Sequence, residues 1–366
     1  MSEDEATYNW RVFKKILLTL AGKEPLSEQD IFDSRFSLGQ LSETANKHRV
    51  MPQIATAFLE SHVPRTDLYC SYFLGEQQFH RLRQTILVQE IERLSNVLDQ
   101  HNVSYAVRKG VTIDHYGYSG RNVRYFNDID IAISPSDAGK VKEIIARNTS
   151  YIPDSYFNFV AQEIQALPRE TLVMLKIYPD HIPQYTRMSD GPIQVPLQLD
   201  IAFSLSWVTS EYPIDIDHAL STRKLIAVKG SEFYSLSGIY CFIDAYMHLF
   251  REAYFKSTSL KSDRISKFLD VLLLWENSQG ANFSESDRDL IESYNLVAPL
   301  KWVAFHVDNI FGTDMKRQVD LMFADPIYEL PRNFFQIYQR EDGTVQEWKG
   351  DMDWRLMIDD KAKIYT

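Results

Sequence analysis

Cysteine is scarce: two residues, Cys70 and Cys241, in a chain of 366, both among apolar neighbours. There is no CxxC spacing, and the nine histidines form no HExxH. A structural zinc site and a disulfide framework are therefore not expected. GxGxxG and GxxxxGK[ST] are also missing, which removes the dinucleotide-binding and P-loop fingerprints. Positive charge is in deficit. The 39 Lys and Arg stand against 50 Asp and Glu, a net −11, the wrong sign for a broad nucleic-acid groove. The start, "MSEDEATYNW", is acidic and lacks an apolar signal core. No apolar run reaches membrane-spanning length, and the greasiest, "KFLDVLLLW", is short and broken by Asp270. These absences lead us to expect a reduced, cytoplasmic protein with no membrane partner. Internal repeats and low-complexity segments are absent too.

What is present is an ordinary globular composition, 45% hydrophobic and 24% charged, with 20 Tyr and 21 Phe. That suits a packed body or a ligand cleft and excludes a mainly disordered chain. The length allows two or three domains.

Periodicity divides the chain. Residues 1–101 carry helical spacing: "NWRVFKKILLTLAG" ending at Gly22, then "SLGQLSETANKH", "VMPQIATAFLES" and one long helix through "DQHN". Residues 102–235 are mixed. "VSYAVRKG" reads as a strand, "VTIDHYGYSG" as a helical turn and loop, "DIDIAIS" as a strand, and "SPSDAGKVKEIIARN" as a capped helix. "TLVMLKIYPD" and "VPLQLDIAFSL" read as further strands, separated by a loop from Pro179 to Pro192, and "KLIAVKGSEFYSLS" as a fifth strand and turn. Residues 236–325 return to helical spacing in four segments, and 326–366 form an irregular polar tail. The fold class expected is α+β, a mixed sheet flanked by helices, because the strands are not evenly separated by helices.

Asp128 and Asp130 interrupt an apolar strand. Residues i and i+2 of a strand share a face, so the two acids project side by side, about 6–7 Å apart, while Ile129, Ile131 and Ile133 project to the other face. Two like charges at that distance repel unless a cation lies between them, and carboxylate oxygens suit Mg²⁺. A half-exposed edge strand with solvated acids is the alternative.

The ordered set Lys109, Gly110, Tyr116, Arg124, Asp128 and Asp130, in "VRKGVTIDHYGYSGRNVRYFNDIDIAIS", resembles the nucleotidyltransferase superfamily. It is most similar to a poorly characterised branch with an "LKG…Y…R…DID" signature. "YPIDIDHALSTRKLIAVKGSEFYSLSGIYCFIDAYMHLF" and "RISKFLDVLLLW" extend the likeness, which covers roughly Val103 to Trp275. The resemblance implies Mg²⁺ (or Mn²⁺) on the two aspartates and on a third carboxylate of a neighbouring strand, for which Asp200 in "PLQLDIAF" is the candidate. It also implies a nucleoside triphosphate, with ATP expected, near Lys109, Gly110, Arg124 and Tyr116. Two metals about 4 Å apart would hold the triphosphate and the attacking hydroxyl, and pyrophosphate would leave. Given the acidic balance, a small molecule or peptide is expected as acceptor rather than a nucleic acid. The chain departs from the branch in two ways. Lys109-Gly110-Val111 replaces a Gly-Ser step, and no His closely follows Asp200. These departures favour a rival, a catalytically degenerate nucleotide-binding or interaction module, antitoxin-like modules included. A two-carboxylate glycoside hydrolase is a further rival, with no sugar-binding signal behind it.

Other acidic and basic residues have structural readings. Asp217, in "PIDID" with Asp215, is expected to cap a helix. Asp351 and Asp353 fall in the polar tail. His248 reads as a satisfied core histidine, Asp270 as a structural or solvated residue, and Arg81, Arg83 and Arg93 as a solvated helix face.

Overall fold

The computed structural model describes residues 4–23, 25–61, 67–177, 180–207, 210–255, 263–279, 283–339 and 343–358. The chain forms two compact units, residues 79–244 and residues 1–78 with 245–366. The fold is α+β.

Five helices come first: α1 (Glu5–Thr19), α2 (Glu28–Phe32), α3 (Leu38–Lys47), α4 (Met51–Glu60) and α5 (Asp67–Gln100). Asp4 caps α1 by accepting from the Thr7 N–H at 2.8 Å. Tyr8, Val12, Phe13, Ile16 and Leu17 are buried on α1, at the i, i+4, i+5 spacing of an apolar stripe.

The unit 79–244 is built on a six-stranded sheet. Its strands are β1 (Tyr105–Arg108), β2 (Asp128–Ile133), β5 (His181–Met188), β6 (Pro196–Ala202), β7 (Lys224–Val228) and β8 (Ser231–Ser235). A separate hairpin pairs β3 (Ser155–Asn158) with β4 (Glu163–Ala166). Between the strands lie α6 (Gly110–Gly117), α7 (Ala138–Asn148), α8 (Arg169–Ile177) and α9 (Ile216–Ser221). The strand order is β5-β6-β2-β1-β8-β7. β2 runs parallel to β6 and antiparallel to β1, and β1 runs parallel to β8, so the sheet is mixed.

One face of this sheet is the core. Ile129, Ile131 and Ile133 of β2, Leu197, Leu199 and Ile201 of β6, and Tyr105 and Val107 of β1 gather with Leu87, Val88, Ile91 and Leu94 of α5 and Val141, Ile144 and Ile145 of α7. Period-2 alternation then sends Asp128, Asp130 and Asp200 to the opposite face. β7 and β8 turn at Lys229 (φ 51°) and Gly230 (φ 85°). Two successive positive φ values match the right-handed twist of a hairpin.

The second unit continues with α10 (Gly238–Phe250), whose first residues, to Asp244, belong to the first, and with α11 (Ile265–Leu274), α12 (Glu285–Ser293), α13 (Val297–Phe311) and α14 (Met315–Met322). α13 ends at Gly312, which takes the left-handed conformation (φ 66°) that a C-terminal cap requires. β9 (Ile337–Gln339) pairs with β10 (Val345–Glu347), and α15 (Met352–Met357) follows. Among the described residues no helix is long and apolar enough to cross a membrane.

Several sequence expectations need correction. "TLVMLKI" is helix α8, not a strand, and none of its residues is buried. Consecutive apolar residues suggested a strand, whereas Glu170 in the first turn and Lys176 in the last match the helix dipole. The supposed loop from Pro179 to Pro192 contains β5. Pro183 disguises it, and is tolerated because β5 is an edge strand with a register irregularity between Ile182 and Tyr185. The region after Asp325 holds a hairpin and a short helix rather than irregular chain alone. Asp215, not Asp217, caps α9, accepting from Asp217 N–H at 2.9 Å and His218 N–H at 3.2 Å.

Candidate functional site: an acidic sheet face

The centre of the acidic face is set by strand register. Asp130 of β2 is the direct Cα partner of Asp200 on parallel β6, and of Arg108 on antiparallel β1. Partners across a ladder point to the same side. Asp128, two residues before Asp130, shares that side. Three carboxylates thus stand on two adjacent strands.

Lys109 follows β1 with φ 51°, an unusual conformation for a residue bearing a Cβ. Its Nζ lies 2.7 Å from Asp130 Oδ1. Burial opposes the lysine's charge most strongly, but the charge and hydrogen bond of Asp130 together with the charge of Asp244 prevail, and the pKa is raised. Elsewhere on the face negative charge is crowded. Burial, then repulsion from Asp130, pushes the Asp128 carboxyl above its ordinary range. The same two causes raise Asp200 to about 6, against the pull of Lys109. A cation placed among these acids would relieve that repulsion.

A second cation underlies the first. Arg108 forms a two-pronged ion pair with Asp244 of α10. Nε donates to Oδ2 at 3.0 Å and Nη2 to Oδ1, and Nη1 donates to the Ser204 carbonyl at 3.2 Å. Both side chains are buried. The pair anchors β1 beside Asp130.

The loop leading into β2 is organised by Asp114 of α6. This buried carboxylate accepts from the backbone N–H groups of Asn122, Val123 and Arg124, each at 2.9 Å. The turn residues Ser119, Gly120 and Asn122 all have positive φ. Gln84 of α5 donates to the Arg124 carbonyl at 2.7 Å, and the His80 ring stacks on Tyr125 at 6.1 Å. Arg83 hydrogen-bonds Asn127 and lies over the Tyr125 ring. Arg83 and Arg93 are therefore not merely solvated: Arg93 pairs in two-pronged fashion with buried Glu90, which also binds Arg187.

Of the seven site residues expected from sequence, Asp128, Asp130, Asp200 and Lys109 are brought together. Arg124 lies on the loop four residues before Asp128, and its charge opposes the rise in the Asp128 pKa. Gly110 opens α6, where a Cβ would meet the Phe126 ring at 3.1–3.2 Å. The glycine makes room for a buried aromatic. Tyr116 packs against the apolar cluster behind the sheet and edge-on to His115. His248 and Asp270 belong to the other unit. His248 lies 3.5 Å from Glu252 and is a third exposed, and Asp270 is buried rather than solvated. Asp353 is held by Trp10 and Lys14.

Sequence reading missed Asp114, the Arg108–Asp244 pair and His181. For Asp114 a signal existed: the turn-rich "YSGRN" needs a partner for its backbone donors. Arg108 and Asp244 are 136 residues apart, and nothing local marks them.

As donors, three carboxylates on one face fit a hard divalent cation. As the side chains stand, no group of three or more His, Cys, Asp or Glu among the described residues is gathered to hold a metal ion. At Asp130 the Lys109 ammonium occupies Oδ1 at 2.7 Å.

Residues 35–312 match the model of a family described as uncharacterised nucleotidyltransferase. Among solved structures the chain is similar to an antigenic nucleotidyltransferase-like protein from Paracoccidioides brasiliensis. The identity is 13% and the TM-score 0.34, over 57% of this chain and 86% of that one. No curated protein matches.

Proposed function

The chain belongs to this family of uncharacterised nucleotidyltransferases, and from that premise we propose that it moves a nucleoside monophosphate from a nucleoside triphosphate to a small-molecule or peptide acceptor, with release of pyrophosphate. The observation that carries the reading is the register Arg108–Asp130–Asp200, with Asp128 beside it and Lys109 on Asp130. Asp128, Asp130 and Asp200 would hold Mg²⁺ or Mn²⁺, which when bound supplies charge neutralisation for the triphosphate and acidifies the acceptor hydroxyl.

The chain's own residues do the rest. Lys109 has its ammonium on the acid face, where it can leave Asp130 for a phosphate oxygen once another cation arrives. Arg124, on the loop pinned by Asp114, offers a planar donor pair suited to phosphate. The Arg108–Asp244 pair anchors β1 beside these groups. Catalysis then consists of alignment and charge stabilisation on a preorganised strand face. The acidic balance of the chain, −11, favours an acceptor other than a long nucleic acid.

The degenerate nucleotide-binding or interaction module is the second reading, favoured by the Lys109 ammonium standing on Asp130 Oδ1, where a metal would otherwise bind. Calorimetric titration with each of the four ribonucleoside triphosphates in Mg²⁺, followed by pyrophosphate release with the tightest binder, tests both. Binding with release supports transfer, binding with no release under any acceptor mixture supports a nucleotide-binding module, and no binding refutes transfer in favour of an interaction module.

A further inference from the structure

The acid face carries one more titratable group, His181. His181 opens β5, and its Cα partner is Ala202 of β6. Ala202 shares a face with Asp200, two residues earlier, so His181 stands on the acidic side, diagonal to Asp200. Its neighbour Ile182 pairs with Ile201 and is buried on the core side, which confirms the alternation. The ladder extends one step further, with the Phe203 N–H donating to the Asp180 carbonyl at 3.1 Å, so the placement of His181 is fixed by backbone pairing on both sides.

The imidazole is also oriented. Nδ1 contacts the Asp180 carboxylate, which is mostly buried. A carboxylate at Nδ1 selects the tautomer with the proton there and leaves the Nε2 lone pair as an acceptor. Nε2 meets no hydrogen-bond partner among the described residues, and the side chain is 35% exposed.

We propose that His181 receives the proton of the acceptor hydroxyl at the Asp200 end of the acid face, with Asp180 as the positioning residue that fixes its tautomer. This rests on the nucleotidyl-transfer reading. In the step, the acceptor O–H gives its proton to Nε2 while its oxygen bonds to the α-phosphorus. The bond from that phosphorus to the bridging oxygen breaks, and its electron pair leaves with pyrophosphate. No oxidant or further reactant is needed. The acceptor is thereby placed on the β5 side of Asp200, and the triphosphate on the β1 side with Lys109.

Two measurements on the full chain test this. Long-range proton–nitrogen NMR of the imidazoles, with His181 assigned through H181Q, should give the Nδ1–H tautomer. D180N should mix the tautomers, and D200N should shift the Nε2 resonance, as should Mg²⁺ with the triphosphate that binds. An Nε2–H tautomer, or an Nε2 signal indifferent to both D200N and the loaded nucleotide, overturns the proposal. The second measurement is pyrophosphate release with water as the acceptor. H181Q should slow it by roughly 10²–10⁴-fold, the usual worth of a positioned general base, with nucleotide affinity changed less than twofold. Equal rates in H181Q and wild type overturn the proposal while leaving nucleotidyl transfer intact. Absence of nucleotide binding by the wild type sinks the transfer reading itself. If the wild type binds but water does not serve as acceptor, the NMR result alone decides.

Discussion

Removing Asp244 should cost more than removing the whole ion pair to which it belongs. Arg108 and Asp244 are both buried and joined by two hydrogen bonds, with Arg108 also held by the Ser204 carbonyl. Deleting one member of a buried pair leaves an uncompensated charge, at a typical cost of about 3–5 kcal/mol. Here the stranded guanidinium faces Asp130 across the β1–β2 ladder. It can draw on that carboxylate, in competition with Lys109. We therefore expect D244L to fall near the lower end, about 3 kcal/mol. R108M/D244L removes both charges and keeps the volume, and should cost under about 1.5 kcal/mol. Urea unfolding of the four proteins of the cycle gives the coupling energy. Hydrogen exchange at β1 and β2 should rise in D244L and return toward wild type in the double variant. A D244L cost below about 1 kcal/mol, or a double variant as unstable as the sum of the singles, would refute the buried-pair argument.

D114A strands three backbone donors at the entrance to β2. It should destabilise by at least about 2 kcal/mol and speed hydrogen exchange of residues 120–127, measured by mass spectrometry. G110A drives a Cβ against the Phe126 ring and should cost about 1–3 kcal/mol in thermal denaturation, with F126L/G110A recovering part of it. His80 is buried, and burial with the charges of Arg83 and Lys229 pushes its pKa down to about 3. The unfolded chain binds a proton below about pH 6.5 that the folded chain refuses, so stability falls as pH drops from 6.5 toward 3. H80F should flatten that slope by up to roughly 1.4 kcal/mol per pH unit in urea titrations at pH 7, 6 and 5. The outcome against the argument is an unchanged slope.

The sheet centre was legible because its signals are local. "DIDIAIS" alternates with period 2, so both the core face and the acid face follow from the residues themselves, and β6 repeats the pattern with Leu197, Leu199 and Ile201 against Asp200. The edge was not legible. Pro183 and a bulge hide β5, and a run of apolar residues in the exposed α8 imitates a buried strand. The pairings that hold the site are long-range, Lys109 with Asp130 at 21 residues and Arg108 with Asp244 at 136. Periodicity carries no information about such partners. His181 became visible only through register, since its sequence neighbours advertise a loop.

Under the proposed function the acid face binds a nucleoside triphosphate through a divalent cation held by Asp128, Asp130 and Asp200. Calorimetric binding of the triphosphate with and without Mg²⁺, to wild type, D128N/D130N and D200N, decides this. Binding by the wild type should need Mg²⁺ and weaken at least tenfold, about 1.4 kcal/mol, in both variants. Wild-type binding that ignores Mg²⁺, or that survives D128N/D130N unchanged, would contradict it.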